Sequence, residues 1–101
     1  MNNYSNNNQV CKEVERLTAD GKLDAALDLL DDAIKAGDDA ELHYQRGRLL
    51  WKMGRKTDAM SDYATASQLD PSSPATAALE MAREIMNFYH RDRYNPRATL
   101  N

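Results

Sequence analysis

The sequence predicts an all-α fold of two helical hairpins and a C-terminal capping helix, which together form a fragment of a right-handed α-solenoid. Five segments of the 101-residue chain carry apolar residues at helical spacing, with glycine, proline or aspartate at the breaks between them. Val, Ile and Thr are sparse, and no segment alternates as a strand does. The chain also resembles itself under a shift of about 33 residues, a period typical of helical repeats.

The first hairpin is predicted from two amphipathic helices that flank a glycine turn. One face of the first helix, 9–19, consists of Val10, Val14 and Leu17. Gly21 ends this helix, because glycine readily adopts the left-handed conformation that follows a last turn. The second helix, 23–35, has a wider apolar stripe. Its members are Leu23, Ala26, Leu27, Leu30, Ala33 and Ile34.

The second hairpin follows the same plan. Its first helix is predicted at 40–53 and stops at Gly54. Its second helix is predicted at 57–69 and stops before Pro71, which lacks the N–H of a helical residue and clashes with the preceding turn. These two helices account for the middle of the chain.

A fifth helix is predicted at 74–90. Pro74 suits its start, where the missing N–H costs nothing. One apolar stripe comprises Ala78, Ala82, Ile85 and Tyr89, widened by Leu79, Met86 and Phe88. The helical domain is therefore expected at 9–90. An asparagine-rich disordered leader over 1–8 precedes it and a tail over 91–101 follows it.

The self-match brings small residues to equivalent places in the two hairpins. The coinciding pairs are Gly21 with Gly54, Ala26 with Ala59, Leu30 with Tyr63, and Ala33 with Ala66. Small residues let two helix backbones approach closely, while a large neighbour fills the remaining space. The pattern therefore indicates hairpins that stack in the same way.

Residues 40–73 resemble a complete tetratricopeptide repeat. The positions that carry the resemblance are Gly47, Gly54, Ala59, Tyr63, Ala66 and Pro71. Residues 7–39 resemble a weaker copy, with Leu30 in place of the aromatic residue and no closing proline. Residues 74–90 resemble the extra helix that often closes such arrays, and the C-terminal segment is similar to that of small bacterial members. The resemblance implies a protein-interaction module and no enzymatic activity.

In this family the first helix of each hairpin lines a concave groove that binds peptide segments. Carried over to the complete repeat, the groove positions are Glu41, Tyr44, Arg48, Trp51 and Lys52. In the weaker repeat they are Asn8, Cys11, Glu15, Thr18 and Ala19. Aromatic side chains and arginine give good contact chemistry, so an extended segment with acidic or aromatic groups is the expected ligand. The alternative is that Tyr44 and Trp51 simply pack in the core.

The fifth helix carries more apolar residues than one buried stripe can hide. A predicted homodimer face comprises Leu79, Ile85, Met86, Phe88 and Tyr89, and Met81 adds to the surplus. Two stacked hairpins are also fewer than the roughly three units that such arrays usually need for stability. A self-assembly module is therefore an alternative to an adaptor with a separate protein partner. The tail over 91–101 could also fold back over the groove.

Composition disfavours other classes. The chain has 13 Lys+Arg against 16 Asp+Glu, a net charge of −3, whereas general nucleic-acid binders usually have a basic face. A basic cluster leaves RNA binding as a remote alternative. The cluster comprises Arg46, Arg48, Lys52, Arg55 and Lys56. The start of the chain lacks the pattern of a secretion signal, and no apolar stretch is long enough to span a bilayer. A cytoplasmic protein is expected.

The residues that could support catalysis or metal binding are few. His43 occupies a position that suggests packing, and His90 lies at a predicted helix end. Two aspartate pairs, 31–32 and 38–39, lack the loop spacing of a calcium site and are interpreted as helix surface. Cys11 is the only cysteine and cannot form an internal disulfide. We therefore expect no catalytic residues, cofactor or metal.

Overall fold

A computed structural model describes residues 3–94 of the chain, with side chains described for residues 7–88. Within these residues the fold is all-α, and no strand is present. The helices, in chain order, are α1 (Asn3–Ala19), α2 (Leu23–Ala36), α3 (Ala40–Lys52), α4 (Lys56–Leu69) and α5 (Ala75–Tyr94). Helix α3 packs most extensively against α4, and also contacts α2 and α1, while α5 packs on α4. The order of contacts is that of stacked hairpins closed by a final helix.

The outer helices are longer than predicted. Helix α1 begins at Asn3, so residues 3–8 of the expected leader are helical in the structure. The Asn7 side-chain amide donates to the Asp39 carboxylate over 3.1 Å, which ties the first turns of α1 to the start of α3. Helix α5 continues to Tyr94, beyond the predicted end at residue 90, and the rest of the predicted tail lies outside the described residues.

The two hairpin turns share one geometry. Gly21 and Gly54 have φ of +80° and +86°, the left-handed region that glycine enters without steric cost. In the first turn the Lys22 N–H donates to the Leu17 carbonyl over 2.8 Å; in the second the Arg55 N–H donates to the Leu50 carbonyl over 2.9 Å. These bonds close each helix end in the same way, and the predicted equivalence of the two glycines is confirmed.

Helices α3 and α5 begin at side-chain caps. The Asp39 carboxylate accepts from the Glu41 N–H over 2.8 Å, and Asp39 itself has extended backbone angles. The Ser73 hydroxyl accepts from the Ala75 N–H over 3.0 Å. Each cap satisfies an N–H group that has no partner inside the helix. The loops before α3 and α5 therefore fix where these helices start.

The core has two buried clusters. The first lies between α1, α2 and α3 and comprises Val14, Ala26, Leu30, Leu42 and Leu49. The second lies between α3, α4 and α5 and comprises Leu50, Ala59, Tyr63, Ala66 and Ala75. Helix α3 contributes to both clusters, so it is the central element of the fold. Its remaining surface forms the middle of the candidate site.

Gly47 marks the close crossing of α3 and α4. A Cβ at this position would lie 2.7 Å from two ring carbons of Tyr63, whose side chain is buried, and 3.2 Å from the Ala59 carbonyl oxygen. The prediction of a small residue here, packed against a large one, is confirmed. The backbone of α4 and the buried ring leave no room for a methyl group.

We expect Gly47→Ala to lower the free energy of unfolding by about 1 kcal/mol. Overpacking of this kind costs about 1–3 kcal/mol, while alanine regains up to about 1 kcal/mol of helix propensity. The measurement is urea unfolding followed by far-UV circular dichroism. Gly37→Ala is the matched control, because Gly37 has extended angles and open space around its Cβ position. A loss no greater in Gly47→Ala than in Gly37→Ala contradicts the prediction.

Candidate functional site

A cleft of about 290 Å³ opens between α1 and α3 on the side predicted to be the groove. Its lining consists of Val14, Glu15, Thr18, Ala19, Gln45, Arg48, Leu49 and Lys52. Helix α1 supplies the first four residues and α3 the other four, because these first helices of the hairpins lie side by side. Val14 and Leu49 are buried and form an apolar floor, while Arg48 and Lys52 are exposed. Five of the predicted groove residues therefore meet here: Glu15, Thr18, Ala19, Arg48 and Lys52.

The two cations of the cleft have no ion pair among the side chains of residues 7–88. The Arg48 guanidinium carbon lies 5.7 Å from the centre of the Tyr44 ring, a distance at which a cation is attracted to the ring face. This contact lies at the guanidinium itself, and it leaves the N–H donors of Arg48 without a carboxylate partner among the described side chains. Glu15 is the one carboxylate in the lining, so the cleft carries a net positive charge.

Tyr44 belongs partly to the core. Its ring centre lies 6.1 Å from that of Tyr63 at an interplanar angle of 42°, and it packs against the second buried cluster. Burial, with a smaller contribution from Tyr44, raises the pKa of Tyr63, while Arg48 acts in the opposite direction. The packing alternative therefore describes the ring of Tyr44, which does not line the cleft, and its contact with a ligand stays a prediction. Tyr44 supports Arg48 from within the protein.

Trp51 does not line this cleft. It lines a hollow of about 220 Å³ between α3, α4 and α5. The lining consists of Trp51, Tyr63, Ala78, Met81, Ala82 and Ile85. The Lys56 ammonium lies 4.8 Å from the centre of the Trp51 ring. Of the three residues predicted on one face of α3, Arg48 thus lines the cleft beside α1 and Trp51 lines the hollow beside α5, while Tyr44 packs towards Tyr63.

Cys11 and Glu41 lie near the start of α3, away from Trp51. Glu41 accepts a hydrogen bond of 2.7 Å from the Gln45 amide. Burial raises the pKa of the Cys11 thiol to about 11, and the nearby carboxylates of Glu41, Asp39 and Glu15 contribute in the same direction. The thiol is therefore kept protonated, which makes it a poor nucleophile at neutral pH. Neither residue lines the cleft, although both were predicted at the groove.

We expect Cys11 to react with iodoacetamide at pH 8 about 100-fold more slowly than a free thiol of pKa near 9, because only the thiolate is nucleophilic. The rate should keep rising as the pH approaches 11. Because the pKa of this thiol is higher in the folded protein than in the unfolded chain, its contribution to folding stability falls as the pH rises from 9 through 11. A rate that already plateaus near pH 9 contradicts the raised pKa. The urea-unfolded protein is the control.

A polar network that the sequence analysis missed joins α2, α3 and α4. The Asp62 carboxylate, 5% exposed, accepts from Arg46 Nε over 2.7 Å and from Arg46 Nη2 over 2.9 Å. Arg46 Nη1 donates to Asp31 on α2 over 2.8 Å. The two ring nitrogens of His43 lie 3.0 Å from Asp62 and 3.1 Å from Asp38. Hydrogen bonds to Asp62, opposed in part by burial, raise the pKa of Arg46 above its usual range.

This network changes two earlier interpretations. The aspartates at 31 and 38 were interpreted as helix surface, but they bind Arg46 and His43 respectively. The predicted basic cluster is also partly neutralised, because Arg46 and Arg55 form ion pairs with carboxylates. His43 is buried, as its position suggested, and its ring nitrogens lie against two carboxylates. Among residues 7–88 no three His, Cys, Asp or Glu side chains are placed to share a metal ion.

Residues 40–73, the segment predicted as the complete repeat, match the family model of the tetratricopeptide repeat. The solution NMR structure of a Bacteroides fragilis protein is 32% identical to this chain, covers 84% of it and 88% of its own length, and superposes with a TM-score of 0.73. The chain belongs to the tetratricopeptide repeat family. A search of curated proteins gave no match.

Members of the tetratricopeptide repeat family are generally non-catalytic modules that mediate contacts with partner proteins. In this member the matched repeat contains α3 and α4, and the cleft depends on α1, which lies outside the match. No helix in the described part of the chain is long and apolar enough to cross a membrane. The family thus indicates the general class of function, a protein-protein interaction module.

The predicted dimer face of this tetratricopeptide repeat protein is divided in the structure. Leu79 packs against the second buried cluster, and Ile85 lines the hollow beside Trp51. Met86 is half-buried, while Phe88 is 66% exposed. The side chain of Tyr89 lies outside the described residues. Met81, also on α5, is 64% exposed.

Proposed function

We propose that this protein is an adaptor that binds an extended segment of a partner protein in the cleft between α1 and α3. The observation that carries the proposal is the pair of cations, Arg48 and Lys52, above an apolar floor. Neither cation has an ion pair in the described part of the protein, although the chain is acidic overall. A carboxylate of the partner would supply the missing charge, while its backbone and apolar atoms cover the floor.

The chemistry of the cleft favours a carboxylate-bearing segment. Arginine presents planar, forked donors that match a carboxylate, and the contact with Tyr44 reduces the side-chain freedom that binding would otherwise remove. Lys52 lies one helical turn further along α3, so two successive acidic groups of an extended ligand could each meet a cation. Gln45, on the same helix, is buried and bonded to Glu41, which leaves the cations as the main polar contacts.

The test is selection from a random-peptide display library on the immobilised protein. We expect enrichment of acidic segments that are no longer retained by the double variant Arg48→Glu, Lys52→Glu. The matched control, Lys35→Glu with Arg83→Glu, changes the net charge equally at exposed positions on α2 and α5. Peptides that bind both double variants equally well, or a selection without any enrichment, would show that the cleft is not the binding site.

Self-association through α5 is the second candidate. Met81 and Phe88 are each about two-thirds exposed, and large exposed apolar side chains often mark an interface. A dimer built on this helix should persist on dilution and dissociate in the variant Phe88→Glu. The measurement is molar mass by light scattering across a dilution series. A monomer at every concentration removes this candidate and leaves the adaptor.

A further inference from the structure

The hollow beside Trp51 is a second concave feature that the α1–α3 cleft does not include. Two helices of the repeat, α3 and α4, contribute Trp51 and Tyr63. Helix α5, which lies beyond the segment matched to the family, contributes the other four lining residues. The C-terminal helix therefore does more than cover the end of the repeat. It forms one wall of a surface hollow.

The hollow is apolar and sized for a single side chain. Ala78 and Ala82 keep its floor low, while Met81 and Ile85 form the rim on α5. Met81 is 64% exposed, and Trp51 is half-buried, so both keep apolar surface accessible to solvent. A volume of about 220 Å³ is smaller than that of most small-molecule sites, which begin near roughly 300 Å³. One aromatic or branched side chain of a larger ligand fits these properties better.

The charges around Trp51 indicate which groups should flank the ligand side chain that enters the hollow. Lys56 lies over the Trp51 ring, Lys52 is the next residue on α3, and Arg48 lies one turn earlier. None of these three cations has an ion pair among the described side chains. The apolar hollow is thus bordered by positive charge from α3 and from the first residue of α4. An occupant with carboxylates beside its apolar group is complementary to this arrangement.

We propose that α3 and α5 together bind an acidic protein segment by one large apolar side chain, which enters the Trp51–Met81–Ile85 hollow. The proposal rests on the adaptor function and deepens it, because carboxylates of the same segment would meet Arg48 and Lys52. Specificity then comes from a combination: the cations select acidic segments, and the hollow selects those with an aromatic or branched residue at the right distance. In such an interface the buried anchor side chain contributes a large share of the binding free energy.

The test uses three fluorescent synthetic peptides whose binding is followed by fluorescence anisotropy. The first has one phenylalanine flanked by glutamates, the second replaces the phenylalanine with serine, and the third replaces the glutamates with glutamine. We expect the first to bind the wild-type protein at least about 30-fold more tightly than the second, the range of a buried anchor. The third should also bind weakly, because it lacks the carboxylates with which Arg48 and Lys52 would form ion pairs.

Variants of residues that line the hollow test whether the phenylalanine of the peptide binds there. Met81→Glu changes an exposed residue and should leave folding intact, yet we expect it to remove most of the advantage of the phenylalanine peptide. Leu69→Glu is the matched control, since Leu69 is also an exposed apolar residue and does not line the hollow. Trp51→Ala should act like Met81→Glu, and circular dichroism establishes whether it remains folded.

The outcomes separate this proposal from the adaptor function. Equal affinity for the phenylalanine and serine peptides, with weak binding of the glutamine peptide, overturns the anchor and supports the charged cleft. An equal effect of Met81→Glu and Leu69→Glu also overturns it. Failure of all three peptides to bind overturns both proposals. A dimer in light scattering that is dissociated by Met81→Glu, and that excludes the peptide, shows that a second copy occupies the hollow and overturns the proposed ligand.

Discussion

Replacing Asp62 with alanine should lower the free energy of unfolding by about 3–5 kcal/mol, the effect expected when one partner of a buried ion pair is removed. Asp62 is 5% exposed and accepts two hydrogen bonds from Arg46 and one contact from His43. Without it the guanidinium loses its strongest partner while remaining mostly out of water. Stabilities of small domains are about 5–15 kcal/mol, so the loss would be a large part of the total.

The measurement for Asp62→Ala is urea denaturation followed by circular dichroism. Asp31→Ala is the control, because it removes the other carboxylate of Arg46, which is 42% exposed and should contribute only about 0–1 kcal/mol. A combined apolar replacement, Arg46→Met with His43→Leu and Asp62→Leu, should recover most of the stability, since no buried charge then lacks a partner. A loss below about 1 kcal/mol in Asp62→Ala would mean that the network does not stabilise the fold.

The pairing of Asp62 with Arg46 and His43 was not predictable from the local sequence, whereas most of the fold was. The glycine turns, the small residues at 47, 59 and 66 and the closing proline follow from local rules, so the five helices and their pairing were predictable. The partners of Asp62 lie on another helix, and that pairing has no local signature. One signal was present: Asp62 lies between Ala59 and Ala66 on the buried stripe of α4, where a carboxylate needs a partner.

The site was predicted in part for a similar reason. Helical spacing placed Tyr44, Arg48 and Trp51 on one face of α3, and that spacing is correct. Which neighbour each residue contacts depends on where α1 and α5 lie relative to α3, and helical spacing alone does not determine that. Arg48 consequently faces the α1 cleft, whereas Trp51 faces α5. The floor residues Val14 and Leu49 were missed as site residues, because apolar residues at buried spacing are normally counted only as core.

Reversing both charges of the cleft should have the largest effect on binding. For the glutamate-rich peptide with its phenylalanine, we expect Arg48→Glu with Lys52→Glu to raise Kd by at least about 100-fold. Each charge-assisted hydrogen bond contributes roughly 1.5–3 kcal/mol, and a tenfold change in Kd corresponds to about 1.4 kcal/mol. Stability should change by less than about 1 kcal/mol, because both side chains are exposed and the contact of Arg48 with Tyr44 is weak at such a site.

Three comparisons make this result specific to the cleft. The control pair Lys35→Glu with Arg83→Glu has the same net charge, so it reports the effect of overall charge alone. Raising the salt concentration should weaken the wild-type complex more than that of the double variant, because exposed charges are screened. A peptide with lysine in place of glutamate should bind the double variant better than the wild type. If the double variant and the control pair weaken binding equally, then net charge steers the ligand and Arg48 and Lys52 do not bind it directly.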